Sequence, residues 1–211
     1  MSKKLFDRDR YFIVKNAISK ELAKFNSNYL SLKRKCMITL YKTNNLIPSI
    51  HNLGTFEDNQ VPNTYSIYGD YAMEVLLETL KPKMEELSGY KLYCAYSYAR
   101  IYKKGDVLER HTDRISCEIS TTLNLGGDSW PIFLEPSGKK GKKGVKVDLS
   151  PGDMLVYRGC ELEHWREPFK GDNCYQVFFH YRDVNFCKNI YDSRPHLGLP
   201  RGLNYSGYEE E

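Results

Sequence analysis

Between residues 91 and 185, apolar and polar residues alternate with a period of two. That period places successive side chains on opposite faces of a strand. It predicts strands over 91–102, 107–114, 117–125, 131–135, 145–149, 154–158, 163–167 and 174–182. Turn chemistry separates them at Gly105, Gly126-Gly127-Asp128, the Gly138–Gly144 loop, Pro151-Gly152-Asp153 and Lys170-Gly171-Asp172-Asn173. Short strands at this spacing predict a jelly roll.

Residues 1–90 follow another rule. Ser19 is suited to cap a helix in which Ile18, Leu22, Phe25 and Tyr29 fall at helical spacing. Residues 36–41 fit either a strand or the tail of that helix. Residues 43–68 are rich in Asn, Pro and Thr and read as a long loop. Asp70 can cap a second helix with the stripe Met73, Leu76, Leu77, Leu80, Met84 and Leu87, ended at Ser88-Gly89. Pro82 should break or kink it. The reading is an α+β protein in one structural domain. An N-terminal helical and loop scaffold over 1–90 packs on a jelly-roll core over 91–185, and a tail follows over 186–211.

Composition narrows the classes. At 41% hydrophobic and 13% aromatic residues, the chain can bury a real core. A net charge of +4 is too mild to argue for nucleic acid or a membrane surface. The run Lys139-Lys140-Gly141-Lys142-Lys143 is read as a solvated hairpin tip. No apolar h-region opens the chain and no stretch approaches the ~20 apolar residues of a membrane span. Cysteines 36, 94, 117, 160, 174 and 187 are scattered without paired spacing. They read as reduced thiols, which implies a cytoplasmic setting.

The candidate chemistry sits at His111-Thr112-Asp113. On a strand, residues i and i+2 share a face, so one imidazole and one carboxylate converge. With five His in the chain, a His-x-Asp would arise by chance roughly one time in four. The motif gains weight from His164, which follows the Pro151-Gly152-Asp153 turn and a short apolar strand. Four short strands fit between Asp113 and His164, enough to go once around a small barrel. His111, Asp113 and His164 would then form the two-His-one-carboxylate face that holds non-haem Fe(II) and leaves three positions open.

Tyr102-x-x-Gly105, His111-x-Asp113, Pro151-Gly152-Asp153, His164 and the strand Tyr175–Tyr181 resemble the 2-oxoglutarate- and Fe(II)-dependent dioxygenases, in their prolyl-hydroxylase-like branch. The resemblance covers about residues 90–185. It implies a double-stranded β-helix with Fe(II), 2-oxoglutarate and O₂ as cofactor and co-substrates. Ascorbate would support turnover. Succinate and CO₂ would be released as a substrate C–H is hydroxylated. The branch implies a peptidyl prolyl or other amino-acid residue as substrate, and small molecules stay open. Tyr102 matches the tyrosine that lines the oxoglutarate pocket.

One departure matters. The branch places a Lys or Arg about ten residues after the second His, where this chain has Asn173-Cys174-Tyr175. The substitutes are Arg166, then Arg100, then Arg182. Arg166 shares a strand face with His164, and Arg100 shares one with Tyr102. The same parity turns Ser120, Thr122 and Asn124 inward, and places His180 near the metal to orient a ligand or pack in the core. Trp130 and Trp165 read as packing. The missing cation keeps two alternatives in view. One is a non-catalytic jelly-roll binding module; the other is a cupin-type metal enzyme that does not use 2-oxoglutarate.

Overall fold

The computed structural model describes residues 3–45, 47, 50–186 and 190–206. Among the described residues, three α-helices, α1 (Lys3–Asp9), α2 (Lys20–Thr43) and α3 (Tyr71–Ser88), accompany ten strands. The strands are β1 (Tyr11–Val14), β2 (Tyr65–Tyr68), β3 (Leu92–Lys103), β4 (Leu108–His111), β5 (Ile119–Gly127), β6 (Ile132–Leu134), β7 (Val145–Val147), β8 (Met154–Arg158), β9 (His164–Arg166) and β10 (Asn173–Asp183). One sheet has the order β1-β8-β5-β10-β3-β2 and the other β4-β9-β6-β7. This is the α+β jelly-roll architecture that the period-two pattern predicts, and the double-stranded β-helix that the resemblance implies. The large sheet also draws an edge strand at each side, β1 and β2, from residues before 90.

The two faces of the large sheet have different work. Ala99, Ile101, Leu123, Val177 and Phe179 point toward the helices and meet Leu30, Met37, Met73 and Leu77 in the main core. The opposite parity points between the sheets. There Tyr102, Leu108, Trp130 and Cys174 pack together, beside Ile132, Leu155, Tyr157 and Leu162. Alternation along each strand therefore separates a structural face from a face that can carry chemistry.

Both helix starts follow the sequence. The Ser19 hydroxyl accepts from the Leu22 amide at 3.2 Å, and α2 runs on through residues 36–41 as helix. Asp70 accepts from the Ala72 and Met73 amides at 3.0 and 3.2 Å. Pro82 does not break α3, which continues to Ser88. Pro82 is exposed, so the carbonyl it leaves without a donor can be met by water. Gly89 closes the helix in the left-handed region at φ 73°, with its amide on the Glu85 carbonyl at 2.9 Å.

Asp70 does more than cap. Its side chain is fully buried and also receives Tyr29 Oη at 2.9 Å and Lys33 Nζ at 2.5 Å, both from α2. The carboxylate thus ties α2 to α3. Asp70→Ala removes a cap and leaves a largely buried lysine unpaired. A loss of about 2–4 kcal/mol is expected, read as a lower urea midpoint at unchanged slope; a loss under about 0.5 kcal/mol would contradict this role.

Candidate metal and co-substrate site

His111 ends β4 and His164 begins β9, and the two are direct cross-strand partners. Their ring centroids lie 4.2 Å apart. The carboxylate arrives differently from the expectation. β4 stops at His111, so Asp113 is not a strand neighbour but lies in the irregular segment that follows. Its amide donates to the Gly159 carbonyl at 2.9 Å, which fixes the backbone beside the β8–β9 connection. Its Oδ1 then sits 3.4 Å from His164 Nε2 and 3.7 Å from His111 Nε2. Three ligands on one octahedral face at ~2.1 Å from an ion would be about 3 Å apart, so the spacing needs only a small contraction.

The donor set fits a divalent metal for a second reason. His111 Nδ1 lies 2.7 Å from the Glu109 carbonyl, and His164 Nδ1 lies 3.0 Å from the Leu162 carbonyl. A carbonyl only accepts, so each Nδ1 carries the proton. That tautomer leaves both Nε2 lone pairs turned toward Asp113. In their place as acceptors, His111 Nε2 takes the Gln60 amide at 3.0 Å and His164 Nε2 takes the Tyr157 hydroxyl at 3.3 Å.

Electrostatics hold the carboxylate ionised. Burial raises the Asp113 pKa, but in the metal-free protein the His164 and His111 imidazoles, when protonated, outweigh it and keep the group far below the usual carboxylate range. Burial lowers the His111 pKa, yet the Asp113 carboxylate and the Glu109 carbonyl carry it above its ordinary value. Asp113 Oδ2 is held separately, by the Ser120 hydroxyl at 2.6 Å. Ser120 Oγ also lies 3.1 Å from His180 Nδ1, so its proton goes to Asp113 and His180 donates to it. Burial pushes His180 down to about 4, so it is neutral at neutral pH.

A cavity of about 330 Å³ opens over this face. Tyr102, Arg100, His180, Tyr157, Tyr98 and Asp58 are among its walls. Arg100 is already neutralised: its Nη2 lies 2.7 Å from Asp58, and its guanidinium also meets the Gln60 carbonyl and the Tyr102 hydroxyl, each at 3.2 Å. Arg166 is not among the cavity walls; it is 1% exposed, in cation–π contact with Trp130 and 3.5 Å from Thr122 Oγ1. It also donates to the Trp130 carbonyl. Its Nε has no partner, and among the described residues no carboxylate comes within ion-pairing distance. Asn124 is not brought to the cavity. Its amide donates to the Leu149 carbonyl at 2.6 Å and accepts from the Gly126 amide at 2.8 Å, which shapes the turn before β8. Arg182 lines a separate pocket with Arg114 and Arg201. Trp165 stacks on Phe133 outside the site.

Four contributors escaped the sequence. Asp58 and Gln60 belong to a loop with no periodic signal. Tyr157 shared an apolar strand whose inward parity would have pointed to it. Gly159 has an ordinary backbone, but a Cβ there would fall 2.4 Å from Asp113 Oδ2 and 2.2 Å from Ser120 Oγ. Only a glycine lets the carboxylate and the β8–β9 connection approach so closely.

No family model matches the sequence, and no curated protein matches it. Solved structures do. A prolyl-4-hydroxylase of Pseudomonas putida superposes with a TM-score of 0.60 at 13% identity, over 86% of this chain and 96% of its own. HygX of Streptomyces hygroscopicus, solved with nickel and 2-oxoglutarate bound, gives 0.60 at 13% identity, over 87% and 86%. A Trichoplax adhaerens prolyl hydroxylase in complex with a hypoxia-inducible-factor peptide gives 0.58 at 14% identity, over 88% and 89%. The chain shares its fold with these structures, prolyl hydroxylases among them. Five described cysteines are free, and Cys187 lies outside the described residues. No helix among the described residues is long and apolar enough to cross a membrane.

Two outcomes follow. Gly159→Ala sets a Cβ against Asp113, Ser120 and the Cys117 carbonyl; the thermal midpoint should fall, and Mn(II) binding, measured calorimetrically on the folded variant, should weaken by tenfold or more, whereas unchanged affinity would remove Gly159 from the site. For His180, the folded pKa lies below the unfolded value of 6.5, so the unfolded chain binds the proton more readily. Its contribution to stability is therefore present above about pH 6.5 and is lost as pH falls toward 4, at up to about 1.4 kcal/mol per pH unit. Metal-free His180→Gln should lose less stability than wild type across that window in urea unfolding. Parallel curves would show that His180 titrates normally.

Proposed function

We propose that this protein is an Fe(II)- and 2-oxoglutarate-dependent hydroxylase, with His111, Asp113 and His164 as the metal ligands. One observation carries the reading. Two imidazole lone pairs and an ionised carboxylate converge on one face, and a buried guanidinium without a counter-ion lies on the same strand as one of the imidazoles. Burying a cation alone is costly, and the cost falls if an anion joins it. The distal carboxylate of 2-oxoglutarate is such an anion. Arg166 on β9 is then the anchor, in place of the cation absent at Cys174.

The residues divide the work. The three ligands leave open positions where a bound iron would activate O₂ as 2-oxoglutarate is converted to succinate and CO₂. Tyr102 lines the cavity, while Thr122, whose hydroxyl donates to the Gln176 side-chain carbonyl at 3.0 Å, lies beside Arg166. Ser120 holds the second Asp113 oxygen and orients the first, an outer partner of the kind that tunes metal affinity. Asp58, Tyr98 and Arg100 stand on the outer wall, where a substrate would enter. We assign the substrate as a peptide or small molecule presenting an unactivated C–H, with a prolyl or other amino-acid residue as first choice.

The test is succinate formation with Fe(II), ascorbate and 2-oxoglutarate, using peptides and small molecules in parallel. Arg166→Ala should raise the 2-oxoglutarate concentration needed for turnover by about 10²–10³, the effect of truncating one partner of a buried charge pair. Iron affinity should change little. Arg166→Lys should recover part of the loss, because an ammonium cannot make the forked contact. If Arg100→Ala loses oxoglutarate affinity and Arg166→Ala keeps it, the anchor sits on β3. No succinate with any substrate class would favour a binding module.

A further inference from the structure

α2 carries two apolar faces, and only one is used. Ala23, Leu30 and Met37 are buried against the sheet. Leu22, Phe25 and Leu32 point the other way and are 39%, 64% and 62% exposed. Single exposed apolar residues are ordinary. These three are aligned with the exposed Cys36 at positions 22, 25, 32 and 36, and the half-buried Tyr29, which packs on the core and is held by Asp70, fills the step between 25 and 32, so that the spacing repeats three and four residues. That step is the narrow seam by which one helix packs along another, not the broad face of a helix lying on a membrane. At 1.5 Å per residue it runs for about 21 Å along the helix.

Charge selects among occupants. α2 holds six cations, Lys20, Lys24, Lys33, Arg34, Lys35 and Lys42, against one acid, Glu21. Lys33 is neutralised by Asp70, and Arg34 is engaged by Asn173. Lys20, Lys24, Lys35 and Lys42 are exposed without a partner carboxylate among the described residues, and at 100° per residue they fall within an arc of about 60° on one flank of the seam. A second copy of this chain would set that lysine row against a helix of the same sign. An acidic helix would not, and interfaces match potential as well as shape.

We infer that the outer face of α2 is a docking site for an acidic amphipathic helix of a partner protein, packed along the Leu22–Cys36 seam with its carboxylates beside Lys24, Lys35 and Lys42. The site lies on the helical side of the large sheet, so it is independent of the cavity chemistry. A seam of this length makes a small interface, at the low end of specific contacts.

The probe is a fluorescein-labelled 21-residue peptide with Leu at the heptad a and d positions and Glu on its flanks, titrated with the full chain and followed by anisotropy. Binding should be saturable, weaken with salt, and fall at least tenfold in Phe25→Asp and in the double variant Lys35→Glu, Lys42→Glu. The double variant should instead bind a Lys-flanked version of the peptide. Because these side chains are exposed, the urea midpoint of each variant should match wild type. Equal affinity of Phe25→Asp for the acidic probe overturns the inference, as does wild-type preference for the Lys-flanked peptide. Sedimentation showing a wild-type dimer that Phe25→Asp dissolves assigns the face to a second copy instead. Phe25-dependent pelleting with phosphatidylserine vesicles, without peptide binding, assigns it to a membrane surface.

Discussion

The site rests on one cross-strand pair. β4 and β9 are short, and their register sets His111 opposite His164. A slip of either strand by one residue would turn its imidazole to the outer face of the small sheet. The register leaves both Nδ1 atoms facing backbone carbonyls, and that choice of partner points both Nε2 atoms the same way. The carboxylate is placed by other means. The Gly159 carbonyl holds the Asp113 backbone, and the Ser120 hydroxyl holds one of its oxygens. The face is built by the small sheet and braced by the large one.

A similar division governs the cations. Arg100 and Arg166 are both buried and both point between the sheets, but their surroundings differ. Arg100 sits where a loop delivers Asp58 and Gln60, so its charge is met within the chain. Arg166 sits where aromatic rings and backbone deliver only a carbonyl and π faces. A buried guanidinium so placed is expensive unless something anionic completes it, which is the ground for proposing it as the carboxylate anchor.

Much of this was legible before the structure. Period-two alternation located the core strands, since it reports burial on one face and needs no distant partner. The caps at Ser19 and Asp70 were readable because capping is local. His111, Asp113 and His164 could be joined because turn chemistry limits how a short-stranded chain returns. What resisted was non-local or non-periodic. β1 and β2 are edge strands whose partners lie thirty or more residues away in sequence, so local pattern could not pair them. Asp58 and Gln60 arrive on a loop. Asn124 has the right parity for the cavity, yet a nearby turn claims its amide first. The stripe Ile18, Leu22, Phe25 and Tyr29 located α2, but periodicity shows that a helix is amphipathic without showing which apolar face meets the sheet.

The most direct test of the central claim is an anaerobic titration of Fe(II) into the protein with 2-oxoglutarate present, following the visible charge-transfer absorption of a chelated keto acid. Wild type should develop the band with an end point of one iron per chain, while Asp113→Ala and His164→Ala should develop none. A wild-type protein that binds iron without the band, or a band that survives in Asp113→Ala, would contradict a metal held by this face with 2-oxoglutarate on it.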